Sequence, residues 1–288
     1  MGMSFVSAVA SKGLGFLPDR LFVALQYWKH FGRFPRLANP VTLNEKLQWS
    51  KLHVRDPRLP KCVDKYLVRE FVGNILDESY LIPLVGVYED PSQIRYEDLP
   101  DQFVLKATHG SGWNLICHSK ATFDSEAANQ KMRKWLRTNF YPVGREWAYN
   151  HPTPRIVCEA FISDASGEPP VDYKFFCFHG EPKFIQVDYS RFSGHRRNLY
   201  TPEWELLPCS LEYPNEKNPP PAPRNLSQLL KVAAKLAAGF AFVRVDLYAV
   251  EDRIYFGELT FYPGKGVERF HPAVYDERFG ALLDLSKV

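Results

Sequence analysis

Asp246 and Glu258 are the residues from which chemistry can be read most directly. They lie in FVRVDLYAVEDRIYFGELTFYPGKGV, residues 242–267. Residues 242–250 and 254–262 are rich in Val, Ile, Tyr and Phe, and the charged Glu251-Asp252-Arg253 between them suits a turn. The pattern predicts a β-hairpin. With the turn centred on Asp252, Asp246 faces Glu258, Arg244 faces Thr260 and Tyr248 faces Phe256. Alternation then sets Arg244, Asp246, Glu258 and Thr260 on one face. Two carboxylates opposed across strands repel unless a cation lies between them. A divalent metal with oxygen ligands answers that need, with Arg244 a fixed positive charge beside it. The alternative is a charged pair pointing into water, which a one-residue slip in register would produce.

Three further groups have types suited to an anionic ligand. Pro263-Gly264-Lys265-Gly266 follows the second strand at once; its glycines let backbone N–H groups approach an anion, and Lys265 adds charge. Lys106 ends the strand of FVLKATHGSGWNLICH immediately before His-Gly-Ser-Gly. Backbone donors from Gly110, Ser111 and Gly112 beside a strand-borne lysine would grip phosphate, although the run is neither a Walker loop nor GxGxxG. An ordinary hairpin turn is the simpler reading. Lys174 interrupts an apolar strand, as a solvated charge or a ligand contact.

The elements that must hold these groups follow from periodicity. Residues 18–34 form a helix with Leu21, Leu25, Trp28 and Phe31 on its packed side. Its aromatic and basic mixture also suits a membrane surface. Thr42 and Glu45 form a capping box that opens a second helix through Leu52. A third helix is expected over 61–76. Residues 80–88 read as a strand interrupted at Pro83, 103–107 and 113–118 as strands around a turn, and 125–139 as a helix. RIVCEAFI carries Glu159 on a strand, and two strands meet at His179-Gly180. Residues 208–223 read as a proline-rich surface loop. Residues 226–238 form a helix capped by Gly239, and 272–285 a closing helix.

Composition is that of an ordinary globular chain: 288 residues, 45% apolar, 24% charged. The formal charge of +3 is uneven. Residues 1–61 hold ten Lys/Arg against three acids, leaving −4 for the remainder. Such a front segment suits an anionic partner or is simply a solvated face. A second basic run, 191–197, contains Arg191, His195, Arg196 and Arg197. The five cysteines lack CxxC spacing and sit in apolar runs, as buried thiols in a reducing compartment do. Nothing approaches a membrane span, and the N-terminus lacks a basic n-region, so a cytoplasmic protein is expected. The sequence shows no nucleic-acid-binding signature and leaves oligomeric state open.

The order of these parts resembles the ATP-grasp fold, and within it the teichuronopeptide-biosynthesis (TupA-like) ATP-grasp family. The resemblance is carried by NPVTLNEKLQWSKL, KCVDKYLVREFV, FVLKATHGSGWNLIC, GREW, DYKFFCFHGEPKFIQVD and FVRVDLYAVEDRIYFGELTFYPGKG. It implies an α+β protein in which two α+β subdomains clasp ATP behind a helical N-terminal segment. The expected division is 1–100, 101–160 and 161–288. By position, Lys65 and Lys106 match the lysines that hold nucleotide phosphates, and Gly110, Ser111 and Gly112 the loop covering them. Glu159, Ala160, Phe161 and Ile162 match the segment that binds adenine and ribose. Lys174 and Arg197 are further nucleotide contacts. Asp246 and Glu258 match magnesium ligands; Thr260 stands where many relatives have Asn, which leaves the third ligand open. Arg244 matches the residue that stabilises the acyl phosphate and its tetrahedral successor, and Lys265 joins it as a catalytic candidate.

The implied reaction is an ATP- and Mg²⁺-dependent ligation of a carboxylate to an amine. It needs no nucleophilic side chain, which agrees with the lack of a Ser-His-Asp or Cys-His arrangement. The family link implies an anionic sugar or glycan carboxylate as acceptor. A sugar kinase, a glycosyltransferase or a non-catalytic nucleotide-binding module are the alternatives.

Overall fold

Two antiparallel sheets carry the fold, and each divides its surface between core and cleft. The computed structural model describes residues 16–150, 153–164, 167–190 and 194–288. In chain order its elements are α1 Asp19–Phe31, α2 Leu43–His53, α3 Leu59–Val63, α4 Val68–Ile75, β1 Leu84–Tyr88, β2 Phe103–Ala107, β3 Asn114–Cys117, α5 Ser125–Leu136, α6 Tyr141–Gly144 and β4 Ile156–Ala160. There follow β5 Asp172–Phe178, β6 Glu181–Tyr189, β7 Arg196–Tyr200, β8 Ser210–Leu211, α7 Leu226–Ala237, β9 Phe242–Val250, β10 Arg253–Thr260, β11 Phe270–His271 and α8 Val274–Ala281.

The first sheet runs β1-β4-β2-β3. Phe103, Leu105, Ala107, Ile156 and Cys158 form one face and pack on Ala128 and Met132 of α5. Alternation turns Val104, Lys106, Val157 and Glu159 to the other face.

The second sheet runs β10-β9-β5-β6-β7. One face is largely apolar: Phe175, Cys177, Ile185, Val187, Val243, Val245 and Leu247 meet Leu229, Val232, Ala233 and Leu236 of α7, with the buried Asn198 at its β7 edge. The opposite face is split. Phe176, Phe178, Phe184, Leu199 and Phe242 are covered by Leu43 and Leu47 of α2 and by Tyr275 and Phe279 of α8. The same face continues along the strands as Lys174, Gln186, Asp188, Arg197, Arg244 and Asp246. The apolar half anchors the strands, each buried phenylalanine contributing about 1.5–3 kcal/mol, and the polar half faces the cleft.

Several expectations change. The helix over 61–76 is two helices, because the Asp64 carboxylate accepts from the Tyr66 and Leu67 N–H groups at 2.9 Å. That local capping competes with the helical ladder and leaves Lys65 at the break. α1 buries Phe22, Val23 and Tyr27 rather than the Leu21–Leu25–Trp28 stripe; Leu21 and Trp28 face outward. The strand over 80–88 starts only at Leu84. The proline-rich loop contains β8, which pairs with β11 and buries Cys209 and Leu211.

The capping box of Thr42 and Glu45 forms as expected. Glu45 is fully buried and also accepts from Arg33 (2.6 Å) and Arg36 (3.0 Å), which ties the chain before α2 to that helix. All five cysteines are free and buried. No described helix is long and apolar enough to cross a membrane.

Candidate active site

The β9–β10 hairpin turns at Glu251-Asp252, with Val250 opposite Arg253 and Tyr248 opposite Tyr255 rather than Phe256. A bulge between Phe256 and Glu258 then shifts the register by one. It falls at Gly257, where a Cβ would lie 3.0 Å from the Asp246 carbonyl, so a side chain would push the strands apart. Beyond the bulge Asp246 faces Glu258 and Thr260 faces Arg244, as the sequence predicts.

One guanidinium knits this group together. Arg244 Nε donates to Asp246 Oδ1 at 2.7 Å. Its Nη2 donates to Asp246 Oδ2 (2.7 Å), Glu258 Oε1 (2.9 Å) and Thr260 Oγ1 (3.1 Å). The Thr260 hydroxyl donates to Glu258 Oε1 at 2.8 Å. Lys174 reaches in from β5, donating to Asp246 at 3.0 Å and closely to Asp172. Burial raises the Asp246 carboxyl to about 6 despite Arg244 and Lys174. Glu258 also feels burial, but Arg244, Lys65 and Lys174 hold it down at about 2.

The oxygen set suits a hard divalent ion. Asp246, Glu258 and Thr260 converge on one nitrogen of a cation, so their side chains already point at a common position. No described group of three or more His, Cys, Asp and Glu forms a cage. Mg²⁺ is commonly held in just this open way, by one or two carboxylates completed by phosphates and water.

Across a cleft of about 340 Å³ lies the cationic side. Lys106 Nζ donates to Glu159 Oε2 at 2.6 Å, and Arg69 Nη1 to Glu159 Oε1 at 3.1 Å. Lys65, at the α3–α4 break, donates through Nζ to the Gly110 carbonyl at 2.5 Å, and its backbone N–H to the Thr108 carbonyl. Burial pushes the Lys65 ammonium below its ordinary value. Ser111 and Gly112, exposed at the turn, line the same cleft.

The third wall comes from β6 and β7. Asp188 Oδ1 accepts from Arg197 Nε (2.6 Å) and pairs with His195 Nε2 (2.9 Å), and Arg197 Nη1 donates to Glu268 at 2.8 Å. Burial alone would raise Asp188, but Arg197, Lys174 and His195 hold its carboxyl well below the usual range. Gln186 donates through Nε2 to Asp188 Oδ2 at 2.9 Å. That contact fixes the amide orientation, since only the NH₂ end can face a carboxylate. Gln186 Oε1 is left buried without a hydrogen-bond partner.

The cleft thus gathers Lys65, Lys106, Ser111, Gly112, Glu159, Lys174, Arg197, Arg244, Asp246 and Glu258. Gly110 and Thr260 touch it through Lys65 and Arg244. Ala160, Phe161 and Ile162 do not line it; the Ala160 N–H is taken by the Pro83 carbonyl, and Phe161 packs on His118. Lys265 lies outside as well. Its loop is tethered: Gln48 and buried Lys51 donate to the Lys265 carbonyl at 2.9 and 2.7 Å.

Among the described residues the basic front segment is mostly exposed, with only Lys46 and Lys51 drawn in, yet several of its charges are already paired. Lys46 donates to the Gly280 and Leu283 carbonyls, Arg33 and Arg36 to Glu45, and Arg58 to Asp56 and the Gly239 carbonyl. Arg197 is itself buried between two acids. None of the described residues of the 1–61 segment lines the cleft. Lys12 and Arg191 lie outside the described residues. Arg69, Gln186, Asp188 and Glu268 escape sequence reasoning, whereas His195 belongs to the basic run it singles out. For Gln186 and Asp188 a signal exists: both break the apolar alternation of FIQVDY.

A family profile described as TupA-like ATPgrasp matches residues 45–284. No curated protein matches the chain significantly. Among solved structures, the ATP-grasp ligase PsnB bound to a phosphomimetic variant of its minimal precursor, Mg and ADP is similar with a TM-score of 0.41 and 9% identity; 84% of this chain and 67% of that one are covered. An ADP complex of purK, N5-carboxyaminoimidazole ribonucleotide synthetase, gives 0.43 and 16%, over 75% and 50%. D-alanine–D-alanine ligase from Bacillus anthracis with ATP gives 0.37 and 15%, over 69% and 53%. The chain spans between half and two thirds of the length of these proteins.

Proposed function

Because the chain belongs to the TupA-like ATP-grasp family, with the α+β ATP-grasp fold, we propose that it is an ATP- and Mg²⁺-dependent carboxylate–amine ligase working through an acyl phosphate. The substrate class we assign is an amino acid or peptide joined to a uronic acid, in cytoplasmic steps of surface-polysaccharide synthesis. The observation that supports this most is the facing of two opposite charge sets across one cleft. Lys65, Lys106 and Arg69 stand on one side, and the Asp246–Glu258–Thr260 oxygens on the other.

Asp246 and Glu258, with or without Thr260, would hold Mg²⁺, which when bound would supply neutralisation of phosphate charge. Lys65 and Lys106 hold the nucleotide phosphates. Glu159 balances Lys106 in the free protein, and Arg69 keeps Glu159 compensated when Lys106 turns to phosphate. Arg244, permanently charged, lies where it can bind an acyl oxygen. The β6–β7 wall suits the amine: Gln186 Oε1, held by Asp188, accepts an N–H from it and so orients the nitrogen lone pair. The first sheet with α5 and the second with α7 and α8 are the two jaws. Lys265, outside the cleft, is assigned to the acceptor side only through its loop.

The test is ADP and phosphate release from MgATP across a panel of uronic acids and amino acids, with hydroxylamine as a trap for the acyl phosphate. Carboxylate-dependent ADP release with a hydroxamate or amide product is expected. A phosphorylated hydroxyl product, or ATP turnover indifferent to every carboxylate, would overturn the reading.

A further inference from the structure

α1 carries its polar and apolar residues in an unusual arrangement. Its inner face is the expected one: Phe22, Val23 and Tyr27 are buried against the protein. At about 100° per residue, the side opposite them is formed by Leu21, Ala24, Leu25 and Trp28. A surface helix ordinarily presents charge there. Here Leu21 is 45% and Trp28 49% exposed. The two charged neighbours, Arg20 and Lys29, flank this ridge on either side and are exposed.

The apolar surface extends beyond the helix. Phe34 is 58% exposed and stacks on Trp28 at 6.4 Å, and Phe16, before the helix, is 94% exposed. Lone exposed apolar residues need no explanation, but a ridge of large ones does. Charge around it is one-sided. Residues 16–41 contain Arg20, Lys29, Arg33 and Arg36 against a single acid, Asp19. That acid is turned to Arg145 and Tyr141, away from the ridge. Arg33 and Arg36 bond Glu45, yet remain about half exposed and keep their field at the surface.

We propose that this outer face of α1, with Phe16 and Phe34, is a docking surface for an anionic lipid bilayer. A tryptophan at the crest, leucines beside it and long basic side chains on both flanks match an interfacial helix lying in the plane of the headgroups. The crest enters the boundary between headgroups and chains, while Arg20 and Lys29 extend to lipid phosphates. A convex ridge fits a deformable bilayer better than a protein groove. This contact is peripheral, since no described helix is long and apolar enough to span a bilayer.

The test is flotation of the full chain with phosphatidylcholine vesicles, with and without phosphatidylglycerol. Binding to the anionic vesicles, weakened by salt, is expected. Leu21→Gln with Trp28→Gln should abolish it. Arg20→Gln with Lys29→Gln should weaken it about fivefold per charge removed, from the pull of roughly 1 kcal/mol per basic residue near an anionic surface. All four positions are exposed, so thermal melts should match the parent and show that loss of binding is not loss of fold. A parent protein that stays with the lipid-free fraction, or variants that float equally well, would overturn the proposal. So would a parent dimer by light scattering that Trp28→Gln dissociates, since a second copy would then cover the ridge.

Discussion

Replacing Lys106 by Met should weaken MgADP binding by about tenfold, a smaller effect than a bare charge would suggest. A charge-assisted hydrogen bond contributes about 1.5–3 kcal/mol. In this protein, however, Lys106 already makes one, to Glu159 at 2.6 Å. Binding a phosphate exchanges that bond for another of the same class, so the loss falls at the lower end, about 1.5 kcal/mol. The same geometry gives Glu159→Gln the opposite sign. With the competing anion gone and Arg69 near, MgADP should bind a few times more tightly. Because Glu159 acts through Lys106, its substitution should do almost nothing in the Lys106→Met background, a departure from additivity that a double-mutant cycle reads directly. Calorimetry with MgADP measures all four proteins without turnover. Unchanged affinity in Lys106→Met would make that lysine a structural partner of Glu159. A tenfold loss for Glu159→Gln in both backgrounds would refute the exchange and restore Glu159 as a direct nucleotide contact.

Other outcomes follow from the same geometry. Asp246→Asn and Glu258→Gln should each lower the rate of ADP release by about 10²-fold or more, yet differ in melts. Burial already raises the Asp246 carboxyl, so removing its charge offsets the lost bonds to Arg244 and Lys174 and leaves the melting temperature nearly unchanged. Glu258 is instead held down by the surrounding cations, and its loss destabilises by about 1 kcal/mol, a figure reduced for its partly exposed side chain. Gln186→Met should raise KM for the amine about tenfold and leave KM for ATP unaltered, in initial-rate measurements with each substrate varied in turn. Glu45 sits at about 2 in the folded protein, where Arg36, Arg33 and two backbone N–H groups outweigh burial. Its ordinary value is higher, so its contribution is complete above about pH 4.5 and lost as pH falls toward 2. Half-exposed arginines reduce that contribution to about 2 kcal/mol, and Glu45→Gln should flatten the pH dependence of urea unfolding in that window.

What could be read from the sequence was whatever local chemistry dictates. The Thr42–Glu45 capping box, the strands meeting at His179-Gly180 and the opposition of Asp246 to Glu258 depend on spacing alone. The Tyr248 pairing failed because a two-residue turn and a bulge at Gly257 offset one another, and neither leaves a distinctive pattern. The face of α1 was misjudged since both of its sides are apolar, and periodicity cannot say which one meets the protein. The split of the 61–76 helix follows from a side-chain cap, for which Asp64 offers only a weak hint.

The harder distinction is between buried charges that hold the fold and those that face a ligand. Lys51 and Lys174 look alike in sequence, each a lysine within an apolar run, and both are buried. Lys51 donates to the Gln48 side chain and the Lys265 carbonyl, and its charge is matched inside the protein by the buried Glu146 carboxylate. Lys174 donates to Asp172 and Asp246, carboxylates on the wall of an open cleft. One buried carboxylate beside Lys51 balances it singly, whereas carboxylates crowded along one strand face retain excess negative charge that an incoming cation can share. The difference lies in the partners, and these are set by the split face of the five-stranded sheet. Where α2 and α8 cover it, β5 and β9 place phenylalanines; where that cover stops, the same alternation places Lys174, Arg244 and Asp246. The boundary of the site is therefore the edge of the core. It can be located in sequence only as the point where aromatic residues of one parity give way to charged ones, between Phe176 and Lys174 on β5 and between Phe242 and Arg244 on β9.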